Sequence, residues 1–286
     1  MKIIAKTNVV FENLNKNLIK IQFLSGNSIK MIAILLMFLD HFSKIVLEWY
    51  TNNILFPMVS SGQMTFQTLT QYDYFIRFTL YPIGAIAFPL FCFLISEGYF
   101  YTKNRKKYFL LMTIFAIISE LPFDIAFFNS YSIAEHTFPF YWKYQNVFFT
   151  LLLGMLALWF IEKFRCTSAQ KKDIIRSIFI QAAFILILAN IASLIHSDYE
   201  AYGVLLIVGF YICRKNRFYQ MFMLLLMYMI TTGNQPTLSQ YGSIIILLLY
   251  NGKRGKLKLK YFFYIFYPAH MVLLYLINIC LAYILT

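Results

Sequence analysis

Residues Met31 to Glu48 read MIAILLMFLDHFSKIVLE, and the reading of this stretch decides the fold. It starts as a membrane-spanning helix should, apolar from Met31 to Leu39, and then sets Asp40 and His41 side by side near its middle. A bilayer core is a costly place for either side chain: a charged group facing lipid at the midplane loses on the order of 2.5–3.5 kcal/mol or more. The pair therefore belongs inside a bundle, and the rest of the chain has to supply that bundle.

The composition agrees. Of 286 residues, 60% are apolar and only 13% are charged, about half the charged share usual in a soluble domain. Mean hydropathy is +0.64. Apolar runs fall at 29–49, 80–100, 108–128, 145–162, 174–195, 201–213, 217–232, 238–250 and 261–284. A span needs about 20 apolar residues, so 201–213, 217–232 and 238–250 predict short, tilted or paired helices.

A net charge of +13 would point to nucleic acid in a soluble protein. Here the cations alternate along the chain. Lys2, Lys6, Lys16 and Lys20 precede the first run, and Lys103, Arg105, Lys106 and Lys107 fill the second connection. Further clusters lie at 163–176, 214–217 and 253–260, whereas the intervening connections hold Asp73, Glu135, Asp198 and Glu200 with only Arg77 and Lys143. This is the positive-inside signature. It predicts an all-α, polytopic membrane bundle of about nine helices, with a cytoplasmic N-terminus and the C-terminus outside. Residues 1–25 read as a cytoplasmic arm, either a helix on the membrane surface or a partly ordered tail, and 26–286 as one transmembrane domain. The arm lacks the apolar core of a signal peptide. Cys92, Cys166, Cys213 and Cys280 form no CxxC pair, so neither a disulfide framework nor a metal site is expected. No Rossmann fingerprint or phosphate loop is present.

Depth along the helices, at about 1.5 Å per residue, gathers the ionisable residues. His41 and Glu120 each lie roughly 18 Å from the inner ends of their helices, and His270 about 14 Å into the last one, just after the kink expected at Pro268. Asp40, Lys44 and Glu48 repeat every fourth residue and share a face. His41 is turned about 100° from Asp40, so the two are expected to address different partners. Glu120 and Asp124 flank Pro122, which frees a backbone carbonyl and suits a lined cavity. Simpler readings stand beside these. His270 alone could be a packing residue, Glu97 could pair with Lys103 or Arg105, and Glu48, Asp124, Asp198 and Glu200 could be solvated at the outer boundary.

MIAILLMFLDHFSKI resembles the opening helix of the TraX family of membrane proteins. FPLFCFLISEGYFYTKNRKKY, FAIISELPFDIAFF, NVFFTLLLGMLALWFIE, AYGVLLIVGFYICRKN and FYPAHMVLLYLI resemble later parts of that family, in order. The resemblance implies a multi-pass acetyltransferase of the bacterial cytoplasmic (inner) membrane, similar to a wider set of multi-spanning acyltransferases. Its founding member acetylates the N-terminal amine of conjugative pilin. The implied donor is acetyl-CoA, with no metal, and the acceptor is a peptide, a glycan or a lipid hydroxyl. The intramembrane histidine of such enzymes corresponds by position to His41, with His270 second.

On this reading His41 is the general base, with Asp40 and His270 as partners. Histidine suits the task because its unperturbed pKa lies near neutrality. Glu120, Asp124, Lys44 and Glu97 are candidates for substrate binding, and Arg105, Lys106 and Lys107 for the phosphates of coenzyme A. Membrane lipid is the expected surrounding, and nucleic acid is not an expected partner. Two readings from other classes stay open: a proton- or ion-coupled transporter, and a non-enzymatic assembly factor for a surface structure.

Overall fold

The computed structural model describes residues 20–128, 141–232, 238–256 and 260–285. Of the expected N-terminal arm, residues 1–19 lie outside the described residues, as do Glu135 and Lys258. Among the described residues the regular elements are helices, joined by two isolated bridges, Leu24 with Tyr250 and Gln145 with Ser197.

Helix α1 (Gly26–Phe42) starts at Ser25, whose hydroxyl accepts from the Ser28 N–H. It does not stop after Phe42. The helix continues through π-helical turns at Ser43–Leu47 and Thr51–Leu55 as far as Ser60. Helix α2 (Phe66–Phe75) returns alongside and runs through a third π-turn (Ile76–Leu80) and Tyr81–Gly84 into α3 (Ala87–Tyr101). Next come α4 (Arg105–Phe127), α5 (Val147–Lys163), α6 (Lys171–Leu194), α7 (Glu200–Ile212), α8 (Arg217–Thr232), α9 (Leu238–Leu248) and α10 (Lys260–Leu285).

The short helix α7 holds the centre. It packs against α3, α5, α6 and α8, and Val204, Leu206, Ile207, Val208, Phe210 and Tyr211 are all buried. A helix that is apolar all round belongs in the interior rather than on a polar surface, which accounts for its sequence. Small residues let it approach its neighbours, as is usual between membrane helices. A Cβ on Gly203 would come within 2.7 Å of Phe88, and Gly154 on α5 faces Ile207. By contrast α6 turns Ile178, Phe179, Leu186 and Ile187 outward, and α10 does the same with Leu273 and Leu276. Apolar side chains in that position suit lipid.

The cation-rich connections meet at one end. The Gly26 N–H donates to the Lys253 carbonyl (2.8 Å) and the Asn27 N–H to that of Arg254 (3.0 Å). There too Arg105 pairs with Glu162, and Arg214 stacks over Phe100. At the opposite end the Gln145 N–H donates to the His196 carbonyl (3.1 Å) and the Asp198 N–H to that of Gln145 (2.9 Å).

Two features of the helices bear on the expected spans. Against about nine spans, four helical runs among the described residues have the length and apolarity to cross a membrane: Phe66–Tyr101, Arg105–Phe127, Lys171–Leu194 and Tyr261–Leu285. The run 26–60 is long but carries Lys30, Asp40, Lys44 and Glu48, and α7, though apolar and internal, has 13 residues. The apolar runs expected at 29–49 and 80–100 also extend much further, as two helices joined near Gly62 that touch through their 51–60 and 66–75 parts. Pro268 sits within α10 without ending it.

Gly203→Val tests the packing of α7. We expect it to destabilise the protein by about 1–3 kcal/mol through overpacking against Phe88, seen as a lowered thermal midpoint in detergent.

Candidate functional site

The first and last long helix runs are joined by their histidines. His41 Nδ1 lies 2.6 Å from His270 Nε2 across 229 residues of sequence, and both side chains are buried. The ring planes differ by 5° and the centroids are 4.9 Å apart. At so short an N···N distance that separation requires the rings to lie edge to edge, so the hydrogen bond runs in their common plane. Phe127 and Tyr267 stand edge-on to His41, and Phe266 stacks on His270.

The bonding fixes the tautomers. His270 Nδ1 lies 2.7 Å from the Phe266 carbonyl oxygen, which can only accept, so His270 Nδ1 carries a proton. In the neutral ring Nε2 is then an acceptor, and His41 Nδ1 must donate to it. His41 Nε2 is left with a free lone pair, 4.0 Å from Asp40 Oδ2. A proton arriving there would face the Asp40 carboxylate. That is the geometry of a general base whose partner holds the correct tautomer.

Asp40 and His41 take different partners, as their offset of about 100° predicts: His41 bonds His270, and Asp40 Oδ2 accepts from Lys44 Nζ at 2.7 Å, the i, i+4 pair that the spacing predicts. The two side chains still pass within 4.0 Å of each other. The repeat ends there, because Glu48 accepts from the Tyr81 hydroxyl (3.0 Å) and lies 3.9 Å from Arg77.

Local structure holds these groups in place. The π-turn Ser43–Leu47 follows His41 directly, and π-turns recur at functional sites. Asn278 Nδ2 on α10 donates to the Ile45 carbonyl within that turn (2.9 Å), and the Ser43 hydroxyl donates to the Asp40 carbonyl (2.8 Å). Gly84 presses against Asp40; a Cβ there would come within 2.5 Å of the Asp40 Cβ.

Glu120 and Asp124 gather at the start of α5. Glu120 Oε2 accepts from the Asn146 backbone N–H (3.3 Å) and from its side-chain amide, while Asp124 accepts from the Tyr141 N–H (2.7 Å). Glu120, Asp40 and Asp198 all lie within electrostatic range of Tyr267. Buried polar atoms normally find partners. Here Asp40 Oδ1, Glu120 Oε1, Asp124 Oδ1 and the Tyr267 hydroxyl all lack one.

Asp198 was expected at a solvated boundary. It is half-buried and close enough to Lys44 and Asp40 to interact with both. On this loop, outside the spans, burial pushes its carboxyl up to about 6, with Lys44 opposing and Asp40 adding to the rise. The loop is strained: His196, Tyr199 and Glu200 adopt positive φ values of 47°, 65° and 42°. Such conformations persist only where the surroundings hold them. Here Thr150 bonds to Ser197 and to the Asp198 carbonyl, and Tyr199 stacks on Phe88 at 3.5 Å.

At the basic end, Glu97 accepts from the Tyr250 hydroxyl (3.2 Å) and neighbours Arg217 and Arg214, not Lys103 or Arg105. Arg105 is committed to Glu162, whose other oxygen accepts from the Tyr211 hydroxyl (2.6 Å). Lys106 and Lys107 are exposed. Among the described residues no three of His, Cys, Asp and Glu gather as metal ligands would.

Helix burial and an internal polar cluster define a helical membrane protein with buried ionisable side chains inside its bundle. A family model described as "TraX protein" matches residues 25–278, and the chain belongs to the TraX family. The chain is also similar to the "Probable fimbrial assembly protein FimC, serogroup H1" of Dichelobacter nodosus, with 25% identity over 266 residues, covering 87% of this chain and 94% of that one. No solved structure matches.

Two outcomes are expected at this site. Nitrogen-15 spectra of the labelled histidines should show Nδ1 protonated and Nε2 bare on both His41 and His270 at neutral pH; a protonated His41 Nε2 would contradict the tautomer assignment. Lys44→Ala should cost about 1–3 kcal/mol, measured by thermal unfolding in detergent, because the Asp40 carboxylate is left buried with no counter-charge.

Proposed function

We propose that this protein is an acetyltransferase of the bacterial inner membrane that serves pilus assembly. It moves an acetyl group from cytoplasmic acetyl-CoA to an amine or hydroxyl at the membrane, with the N-terminal amine of a pilin as the preferred acceptor. The observation that carries this reading is the bare Nε2 of His41, buried and held in one tautomer. Acyl transfer needs a base at the moment the acceptor loses its proton, and a histidine so held is ready to act. Family membership supports the activity, and the similarity to a protein named for fimbrial assembly supports the setting.

Each site residue then has a task. His41 takes the acceptor's proton, and His270 holds the His41 ring. Asp40, neutralised by Lys44 until needed, stabilises the imidazolium that forms. Glu120 and Asp124 line the approach of the acceptor. Lys106 and Lys107, exposed beside an open surface hollow lined by residues 102–106, suit the phosphates of the donor. Arg105 contributes less, because Glu162 already neutralises it.

The test is transfer of radiolabelled acetyl from acetyl-CoA in membranes holding wild-type or variant protein. We expect His41→Ala to reduce the rate by about 10²–10⁴-fold, and Asp40→Asn to reduce it while both proteins insert normally. Wild-type rates in both would remove the base assignment. A second reading, a non-enzymatic assembly factor, is favoured by the name of the relative. It predicts pili assembled normally with His41→Ala, and lost when the α5–α7 packing is disrupted.

A further inference from the structure

Tyr267 is the residue of this site for which neither sequence pattern nor fold supplies a role. It lies on α10 three residues before His270, so both side chains leave one face of the helix. Its ring stands edge-on to His41 (centroids 5.9 Å apart) and to His270 (5.7 Å), and packs against Phe148 at 5.1 Å. The residue is 3% exposed, and its hydroxyl makes no hydrogen bond.

Packing does not account for that hydroxyl. A phenylalanine would make the same ring contacts, and buried tyrosine hydroxyls usually find a partner. The Val147 N–H, in the first turn of α5, lies near the oxygen without reaching hydrogen-bond geometry. It could only donate to that oxygen, so the phenolic proton stays available. Asp40 lies within electrostatic range of Tyr267 and 4.0 Å from His41 Nε2, and the Tyr267 ring packs against that same imidazole. Asp198 and Glu120 neighbour the same hydroxyl. A new negative charge forming among three carboxylates would be strongly disfavoured unless a donor met it.

We propose that the Tyr267 hydroxyl is a catalytic hydrogen-bond donor, kept free for the carbonyl oxygen of the acyl group in transfer. The proposal rests on the acetyl-transfer reading above. In the step it serves, the neutral acceptor amine attacks the thioester carbonyl carbon and a C–N bond forms. The carbonyl π pair moves onto oxygen, where Tyr267 donates a hydrogen bond and keeps its proton. His41 Nε2 takes the proton from the nitrogen. The oxygen pair then re-forms the carbonyl, the C–S bond breaks, and the proton passes to the departing sulfur. The products are an amide and a free thiol.

Tyr267→Phe removes the donor and keeps the ring. We expect kcat to fall about 10²–10³-fold, the range seen when one oxyanion donor is lost, with KM for donor and acceptor nearly unchanged. Thermal stability in detergent should stay equal or rise, since an unpaired buried hydroxyl has gone. Site-specific incorporation of 3-fluorotyrosine at position 267 gives a second variant that retains the hydroxyl but makes it a stronger donor; kcat should shift without loss of stability. Wild-type kcat in Tyr267→Phe, a loss of stability matching its loss of activity, or no effect of fluorination would each overturn the proposal. His41→Ala run alongside distinguishes the failures. An inactive wild type, indistinguishable from His41→Ala, ends the acetyl-transfer reading and this proposal with it. An active wild type, a dead His41→Ala and a fully active Tyr267→Phe end only the role of Tyr267.

Discussion

The in-plane hydrogen bond between His41 and His270 is the constraint on which the site depends. It joins the run that begins at Gly26 to the helix that ends the described chain, so every element between them must fold back to let it close. The Phe266 carbonyl sets the proton on one ring, and that choice passes to the other. Directional bonds of this kind are demanding in an apolar bundle, where no water can satisfy a misplaced group. Asn278 on the Ile45 carbonyl and Gly84 against Asp40 remove the remaining freedom.

Around this fixed pair the bundle leaves several polar atoms without partners. In an ordinary core such atoms would be selected against, since each costs about 1–3 kcal/mol. Asp40 and Tyr267, which flank His41, are among them, and the Ser197–Glu200 loop adds non-glycine residues at positive φ, so stability is given up where the polar side chains meet. The α5–α7 contact and the lipid-facing sides of α6 and α10 show the opposite character: small residues in close approach and apolar side chains outward. Rigidity is thus placed around the centre, and unsatisfied polarity within it.

Much of this was legible in the residues themselves. The apolar runs gave the helices, the alternating cations gave two chemically distinct ends, and the cost of burying Asp40, His41 and His270 gave the core of the site. Depth along helices brought His41 and His270 to one level, and the i, i+4 rule paired Asp40 with Lys44. Other features left little local signal. Tyr267 is one of 22 tyrosines, and only tertiary packing shows that its hydroxyl is unpaired. Asp198 sits in a polar connection, where solvation is the ordinary expectation, and only the tertiary fold brings it into range of Asp40 and Lys44. The 4.0 Å approach of Asp40 to His41 is likewise tertiary detail, because angular spacing on a helix describes where side chains start. Asn278, a polar residue in an otherwise apolar run, carries a local signal of its own, and its bond to Ile45 accounts for it.

The π-turns have a consequence for how this protein can vary. A π-turn closes its hydrogen bonds one residue later than an α-turn, so an extra residue is absorbed and the side-chain directions beyond it rotate by about 100°. The turn at Ser43–Leu47 lies between the Asp40–His41 pair and the extension that reaches Ser60. It works as a phase joint. The pair stays in register with His270, while the extension can present a different face without disturbing that register. Evolution can therefore change what the extension displays and leave the buried chemistry as it is.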